Sequence, residues 1–127
     1  MNKQYSKNHV WVTRTEEGKF ILGITQHAID ELGTVSYFDG YDADTKLDES
    51  MGTVESNKTV ADIYAPFDLR IVKCNNDINY DKLNDDPEQD ECWLFEILPD
   101  DISGLSNLIT AEEYKKFLGG QVENSPT

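Results

Sequence analysis

No apolar run in the chain approaches the ~20 residues that a helix needs to span a bilayer, which argues against a membrane-spanning helix. The opening residues, Met1-Asn2-Lys3-Gln4-Tyr5, hold neither an apolar signal core nor an Arg-rich amphipathic pattern. As given, the chain reads as cytoplasmic, or as the mature form of a protein of a mitochondrion-type organelle if a leader has been removed. Cysteine is scarce: Cys74 and Cys92 have no Cys-x-x-Cys spacing and no secretory context, so reduced, partly buried thiols are expected. Glycine-rich phosphate loops, a nucleophile motif of the Ser-His-Asp kind and Cys/His metal spacing are all missing. With two histidines and scattered carboxylates, the expectation is no catalytic residues and no metal. Basic residues are few, 11 against 25 acids, for a net charge of −14. Such a surface repels phosphate backbones, which argues against nucleic acid, and it favours partners with basic docking faces. Solubility alone would account for the same acidity.

What is present suits one domain, expected over residues 1–120, with 121–127 as a polar, frayed tail. Its 127 residues are 38% hydrophobic and 28% charged, ordinary for a globular protein with one core. Val10 and Val12 alternate with His9, Trp11 and Thr13, which predicts a strand. Glu16-Glu17-Gly18 turns the chain, and Lys19 to Ile24 returns as a second strand. Thr25 is a good N-cap for a helix of about two turns that Gly33 stops. Val35 to Phe38 reads as a strand, followed by a turn at Asp39-Gly40-Tyr41-Asp42 and a loop over Thr45 to Glu49. Leu69 to Cys74 alternates as a strand. Asn75 to Cys92 reads as a polar loop, and Trp93 to Leu98 as an apolar strand central to the core. Ser103 to Ile109 contains a short helical candidate. Thr110 with Glu113 forms a capping box for a last helix that Gly119-Gly120 should stop. Asp77, Asn79, Asp81, Asp85 and Glu88 imitate the spacing of a calcium loop, but Lys82 stands where that loop needs glycine.

The stretch around which the rest is arranged is Met51 to Tyr64. Thr53-Val54 and Val60 to Tyr64 have strand character, and Ser56-Asn57-Lys58-Thr59 lies between them. Asn tolerates positive φ, and Ser and Asn side chains bond local backbone, so a tight hairpin is expected. Its tip would carry Lys58, a flexible stem ending in a nucleophilic amine at the most accessible point of a sheet. The local pattern describes a lysine on display and leaves open what it is displayed for.

Glu55-Ser56-Asn57-Lys58 followed by Asp62-Ile63-Tyr64-Ala65-Pro66 resembles the modified-lysine hairpin of the glycine cleavage H proteins, the lipoyl carriers of that system. His9-Val10-Trp11, Gly23-Ile24-Thr25, His27-Ala28 and Leu32-Gly33 resemble further segments of that family, so the likeness runs from about Tyr5 to Leu118. The resemblance implies a mainly β fold, a lipoyl-type barrel-sandwich hybrid of two antiparallel sheets with short flanking helices and a C-terminal helix. It implies lipoate as a covalent cofactor on Lys58, with Glu55, Ser56 and Asp62 around the arm and its cargo, and His9 lining a cleft. It implies a non-catalytic carrier that shuttles an aminomethyl group on the lipoyl-lysine arm. The partners would be a pyridoxal-phosphate glycine decarboxylase, an aminomethyltransferase, dihydrolipoyl dehydrogenase, and the lipoate ligase or lipoyl/octanoyl transferase that attaches the arm. The expected form is a monomer with no nucleic-acid or membrane partner.

The chain departs from the family pattern at three places. Val10 stands where the family has glutamate, Phe67-Asp68 replaces Ser-Gly, and Cys92-Trp93-Leu94-Phe95 replaces the usual approach to the last core strand. These departures motivate an alternative, an H-like lipoyl protein serving lipoate relay or another redox or modification pathway. A biotin carrier would flank its lysine with methionines, where this chain has Asn57 and Thr59. An unmodified binding domain is the remaining reading.

Overall fold

The computed structural model of the chain describes residues 2–123, with side chains as far as 120. In chain order the elements are β1 (Gln4–Tyr5), β2 (Val10–Arg14), β3 (Phe20–Ile24), α1 (Gln26–Leu32), β4 (Val35–Gly40), β5 (Asp44–Thr45) and β6 (Ser50–Ser56). They continue with β7 (Val60–Tyr64), β8 (Leu69–Cys74), α2 (Tyr80–Asp85), β9 (Phe95–Pro99) and α3 (Ala111–Glu123). Single 3-10 segments at Asp90–Cys92 and Ile102–Asn107 flank β9. The strands make two antiparallel sheets, a larger one ordered β1-β2-β3-β9-β8-β5 and a smaller one ordered β4-β6-β7. This is the expected mainly β architecture of two antiparallel sheets with short helices and a C-terminal helix. No helix among the described residues is long and apolar enough to cross a membrane.

The main core fills the space between the sheets. Val10, Val12, Leu22, Ile24, Leu69, Phe95 and Ile97 from the larger sheet meet Phe38, Met51, Val54 and Ile63 from the smaller one. Alternation in β2 predicts one wet face, yet Val10, Trp11, Val12 and Thr13 are all buried. The second face is covered by α3, whose Tyr114 packs with Tyr5, Trp11 and Ile21 in a separate cluster. A strand covered on both sides loses its sequence signature of alternation. Trp11 is fully buried, and its indole N–H donates to Pro87 O at 2.9 Å. Its ring lies across Gly23, its partner in the β2–β3 register. A Cβ on Gly23 would stand 2.5 Å from that ring, so only a residue without one fits there.

The expected polar loop over Asn75 to Cys92 contains α2 and a 3-10 turn. Asn79 caps α2 by accepting Lys82 N–H, and Leu83 inserts fully buried into the core. Of the calcium-like set, Asp81 and Asp85 lie in this helix, Asn79 caps it and spends its side-chain oxygen on Lys82 N–H, and Glu88 beyond it accepts from Tyr5 Oη and Gln26 N–H. The helix also finishes an edge strand. Asn84 accepts Val35 N–H at 2.8 Å and donates to Val35 O at 2.9 Å, while Tyr80 Oη accepts Phe38 N–H at 2.9 Å. These side chains occupy the outer edge of β4, which would otherwise offer unpaired backbone to another strand.

Other boundaries differ for local reasons. β4 runs on to Gly40, and part of the expected loop pairs as β5 with β8. β9 starts at Phe95 and not at Trp93, although Leu94 N–H still donates to Leu22 O, and Leu98 faces outward at 51% exposure. The capping box forms as expected, with Thr110 N–H donating to Glu113 Oε1 and Glu113 N–H to Thr110 Oγ1. Gly119-Gly120 does not stop α3, which continues to Glu123. Neither glycine takes positive φ, and a Cβ on either would meet nothing, so each costs helix propensity of about 1 kcal/mol without breaking the helix. Of the expected frayed tail, 124–127 lie outside the described residues.

Replacing Gly23 with alanine should force Trp11 from its place. The expected loss of unfolding free energy is about 1–3 kcal/mol, the usual cost of overpacking. A urea titration of the Gly23→Ala chain checks this.

Candidate functional site

Lys58 is exposed at the tip of the β6–β7 hairpin, as the sequence suggests. Ser56 holds the turn. Its hydroxyl oxygen accepts Lys58 N–H at 3.1 Å and Thr59 N–H at 3.2 Å, and its own N–H donates to Thr59 O at 2.8 Å. Positive φ at Asn57, the conformation that would have favoured asparagine there, is not used. Asn57 instead ties the tip to the body: its N–H donates to Thr34 O at 3.1 Å.

That tie brings the tip against the end of α1. Thr25 caps this helix through Ala28 N–H, and Gly33 ends it with φ +87° and its N–H on Ile29 O. A Cβ on Gly33 would stand 2.8 Å from Asn57 Oδ1 and about 3.5 Å from Lys58 Cε. The lysine stem therefore lies along the helix exit, one residue from Leu32.

Leu32 lines a cleft of about 730 Å³. Its walls come from the start of β2, from α1 and from the outer edge of β7. Val10, Ile24, Ala28, Val54 and Ile63 make it predominantly apolar. In the β6–β7 register Glu55 faces Val60 and Thr53 faces Asp62. Antiparallel pairs alternate, and with Ser56–Thr59 hydrogen-bonded, the backbone N–H and C=O of Val60 and Asp62 turn away from β6. The cleft runs along that edge.

One wall carries a continuous polar chain. Glu31 Oε1 lies 3.5 Å from His27 Nε2, one helical turn away. The His27 ring stacks against His9 at 4.5 Å between centroids. His9 Nδ1 lies 2.7 Å from Tyr114 Oη, which lies 2.9 Å from Thr25 Oγ1. If Thr25 donates to Tyr114 and Tyr114 donates to His9 Nδ1, both hydroxyl protons are placed and the neutral His9 ring carries its proton on Nε2. Burial, helped by His27, lowers the His9 pKa below its usual value, which favours this neutral ring. Burial also raises the Tyr114 pKa, keeping the phenol protonated as a donor.

The structure thus brings His9 and Asp62 into the cleft lining, and Ser56 into the turn beneath Lys58. Asp62 sits at the rim, where its Oδ1 accepts the Ser50 hydroxyl at 2.8 Å. Glu55 belongs to the outer face of the small sheet, between Tyr37 and Val60, and does not line the cleft. Val10 brings no charge. Glu31 and His27 join this lining, although no motif in the sequence singles either of them out as a site residue. Their i, i+4 spacing on a capped helix was the available signal.

The matching model among known protein families is described as "Glycine cleavage H-protein" and covers residues 3–121. The glycine cleavage system H protein of Oceanobacillus iheyensis is 37% identical over 118 residues, covering 90% of this chain and 92% of that protein. That of Geobacillus thermodenitrificans is 40% identical over 119 residues, covering 87% and 89%. Among solved structures, a glycine cleavage system H protein from Mycobacterium marinum aligns with a TM-score of 0.74 at 30% identity, covering 92% of this chain and 96% of that one.

The His9 environment has a pH consequence. A folded-state pKa below the unfolded value of about 6.5 means the unfolded chain binds more protons as pH falls through that value. Stability should therefore fall as pH drops below about 6.5. Asparagine tolerates the positive φ of His9 (70°) but does not titrate. Melting temperatures measured from pH 7.5 to 5.5 should decline less steeply for His9→Asn than for the parent chain.

Proposed function

Because the chain belongs to the glycine cleavage H-protein family, we propose that it is a lipoyl carrier, with lipoate in amide linkage to Lys58. The observation that carries this reading is the placement of that lysine: exposed on a hairpin tip, its stem laid on Gly33, one residue from an apolar cleft. The residues present fit the group. An acyl arm is apolar along its length, and Val10, Ile24, Leu32, Val54 and Ile63 offer it a matching trough within the volume range of small-molecule sites. Lipoate would supply a dithiolane that can be reduced and can carry a one-carbon amine.

The chain's own residues do the rest. Ser56 and Asn57 hold the tip in one conformation, so an attaching enzyme meets a preformed turn and loses little in ordering it. Tethering then replaces diffusion with a high effective concentration of arm at each partner's active site. The cleft offers a resting place away from bulk water, and Asp62 at its rim is a candidate neighbour for the cargo. In this reading the chain takes an aminomethyl group from a pyridoxal-phosphate glycine decarboxylase to an aminomethyltransferase. It is reoxidised by dihydrolipoyl dehydrogenase, and a lipoate ligase or a lipoyl/octanoyl transferase attaches its arm. The family match and the curated relatives favour this over a relay role.

Intact mass is the test. Produced in lipoate-supplemented cells with an active lipoate ligase, the chain should gain the mass of one lipoyl group, and the Lys58→Arg chain should gain none. An unmodified parent beside a second, modified substrate of the same ligase would overturn the reading.

A further inference from the structure

We infer that Gly33, at the exit of α1, is a positioning residue for the attachment step: it aims the Lys58 amine by holding the lysine stem and leaves the amine itself unengaged. The role rests on the carrier reading above. A lysine can be aimed in two ways, by a carboxylate that pairs with its amine or by a surface on which its methylene stem lies. Among the described residues no carboxylate stands within ion-pair distance of the Lys58 amine. The acids nearest in sequence are placed elsewhere: Glu55 lies between Tyr37 and Val60, and Asp62 accepts the Ser50 hydroxyl. An ion pair would also favour the ammonium form, which has no lone pair with which to attack. The stem, by contrast, is held. Ser56 Oγ fixes the lysine backbone through its N–H, and Cδ and Cε lie 3.6 and 3.5 Å from the place a Cβ on Gly33 would take.

Glycine is required there twice over. The pair φ +87° and ψ −158° belongs to a region that residues with a Cβ enter only with strain. That Cβ would also stand 2.8 Å from Asn57 Oδ1, too close for a carbon and an amide oxygen. Asn57 N–H is fastened to Thr34 O at 3.1 Å. Two consecutive residues of the tip thus meet two consecutive residues of the helix exit, Asn57-Lys58 against Gly33-Thr34. A side chain at 33 would enter the space that Asn57 and the lysine stem share, and moving Asn57 moves the residue next to it.

The attachment step makes the direction of the stem matter. A lipoate ligase offers its acyl group as an acyl phosphate, made from lipoate and ATP. The amine nitrogen attacks the acyl carbon, the C–O bond to phosphate breaks, the phosphate leaves with the electron pair, and the nitrogen gives up one proton as the amide forms. The rate of this step follows the fraction of time that the amine lies in line with the acyl carbon. A loose stem has to be ordered inside the complex, whereas a stem already lying on Gly33 has lost part of its freedom before docking. The ligase meets the same turn in either case, so the effect falls on kcat and not on KM.

The test follows ligation of the full unmodified chain with lipoate, ATP and a lipoate ligase, for the parent, Gly33→Ala, and Gly33→Ala combined with Asn57→Gly. Gly33→Ala should lower kcat about two- to tenfold, the range set by ordering one long side chain, with KM unchanged. The double variant keeps the strained helix exit but makes room for the new Cβ, and should recover kcat. Acetylation of Lys58 by a small activated ester, which needs no aimed amine, should proceed equally in all three. Carbon relaxation should show Lys58 Cε more restrained than the same atom of exposed Lys19 in the parent, a comparison that stands whether or not Gly33→Ala folds. Equal mobility of the two lysines, a kcat unchanged or raised in Gly33→Ala, a loss that the double variant does not recover, or an equal loss with the small ester overturns the inference while the carrier reading stands. A parent that the active ligase leaves unmodified at Lys58 overturns both.

Discussion

The arrangement of the site depends on one close approach, that of the hairpin tip to Gly33. The glycine takes φ +87°, which a residue with a Cβ adopts only with strain, and the space its Cβ would fill is already held by Asn57 and the Lys58 stem. Through that contact, and through Asn57 N–H on Thr34 O, the smaller sheet is fastened to the helix that the larger sheet launches. The lysine is consequently exposed without being adrift. Its stem starts where α1 ends, and α1 is also the wall of the cleft.

The cleft owes its form to the unequal treatment of two edge strands. The outer edge of β4 is closed by Asn84 and Tyr80 of α2, which satisfy Val35 and Phe38. The outer edge of β7 is left bordering a trough. An exposed edge is ordinarily a liability for self-association. Here residues of α1 and the start of β2 face it across the cleft. The polar chain from Glu31 through His27, His9 and Tyr114 to Thr25 then links the trough to α3 on the far side of the larger sheet. Tyr114 serves both: its ring stacks on Tyr5 at 4.9 Å and its hydroxyl orients His9.

Elements whose signals are local were legible in the chain. The Thr25 cap and Gly33 stop, the Thr110–Glu113 box, the turn at Gly18 and the strand over Leu69 to Cys74 each need only neighbours in sequence, and each is found. The hairpin around Lys58 belongs with them. Elements whose stability comes from tertiary burial were not legible. α2 is short and acidic, and it exists because Leu83 enters the core and Asn84 bonds β4. β2 alternates like a half-exposed strand but is buried on both faces because a helix from the far end of the chain lies over it. Gly119-Gly120 looked like a stop because propensity disfavours glycine in a helix, but disfavour of that size does not set a boundary by itself.

The sequence by itself determined that a lysine stands at a tight turn between two strands, on an acidic chain without catalytic or metal motifs, and in an order of residues that resembles one family. It could do so because turns, caps and strand alternation are short-range effects. Tertiary structure alone decided what surrounds that lysine. Glu55, adjacent in sequence, ends on the outer face of the small sheet, whereas Glu31 and His9, far away in sequence, end in the same cleft. Side-chain direction in a strand reverses at every residue, and only the packing of sheet on sheet and helix on sheet selects which of those directions share a cavity.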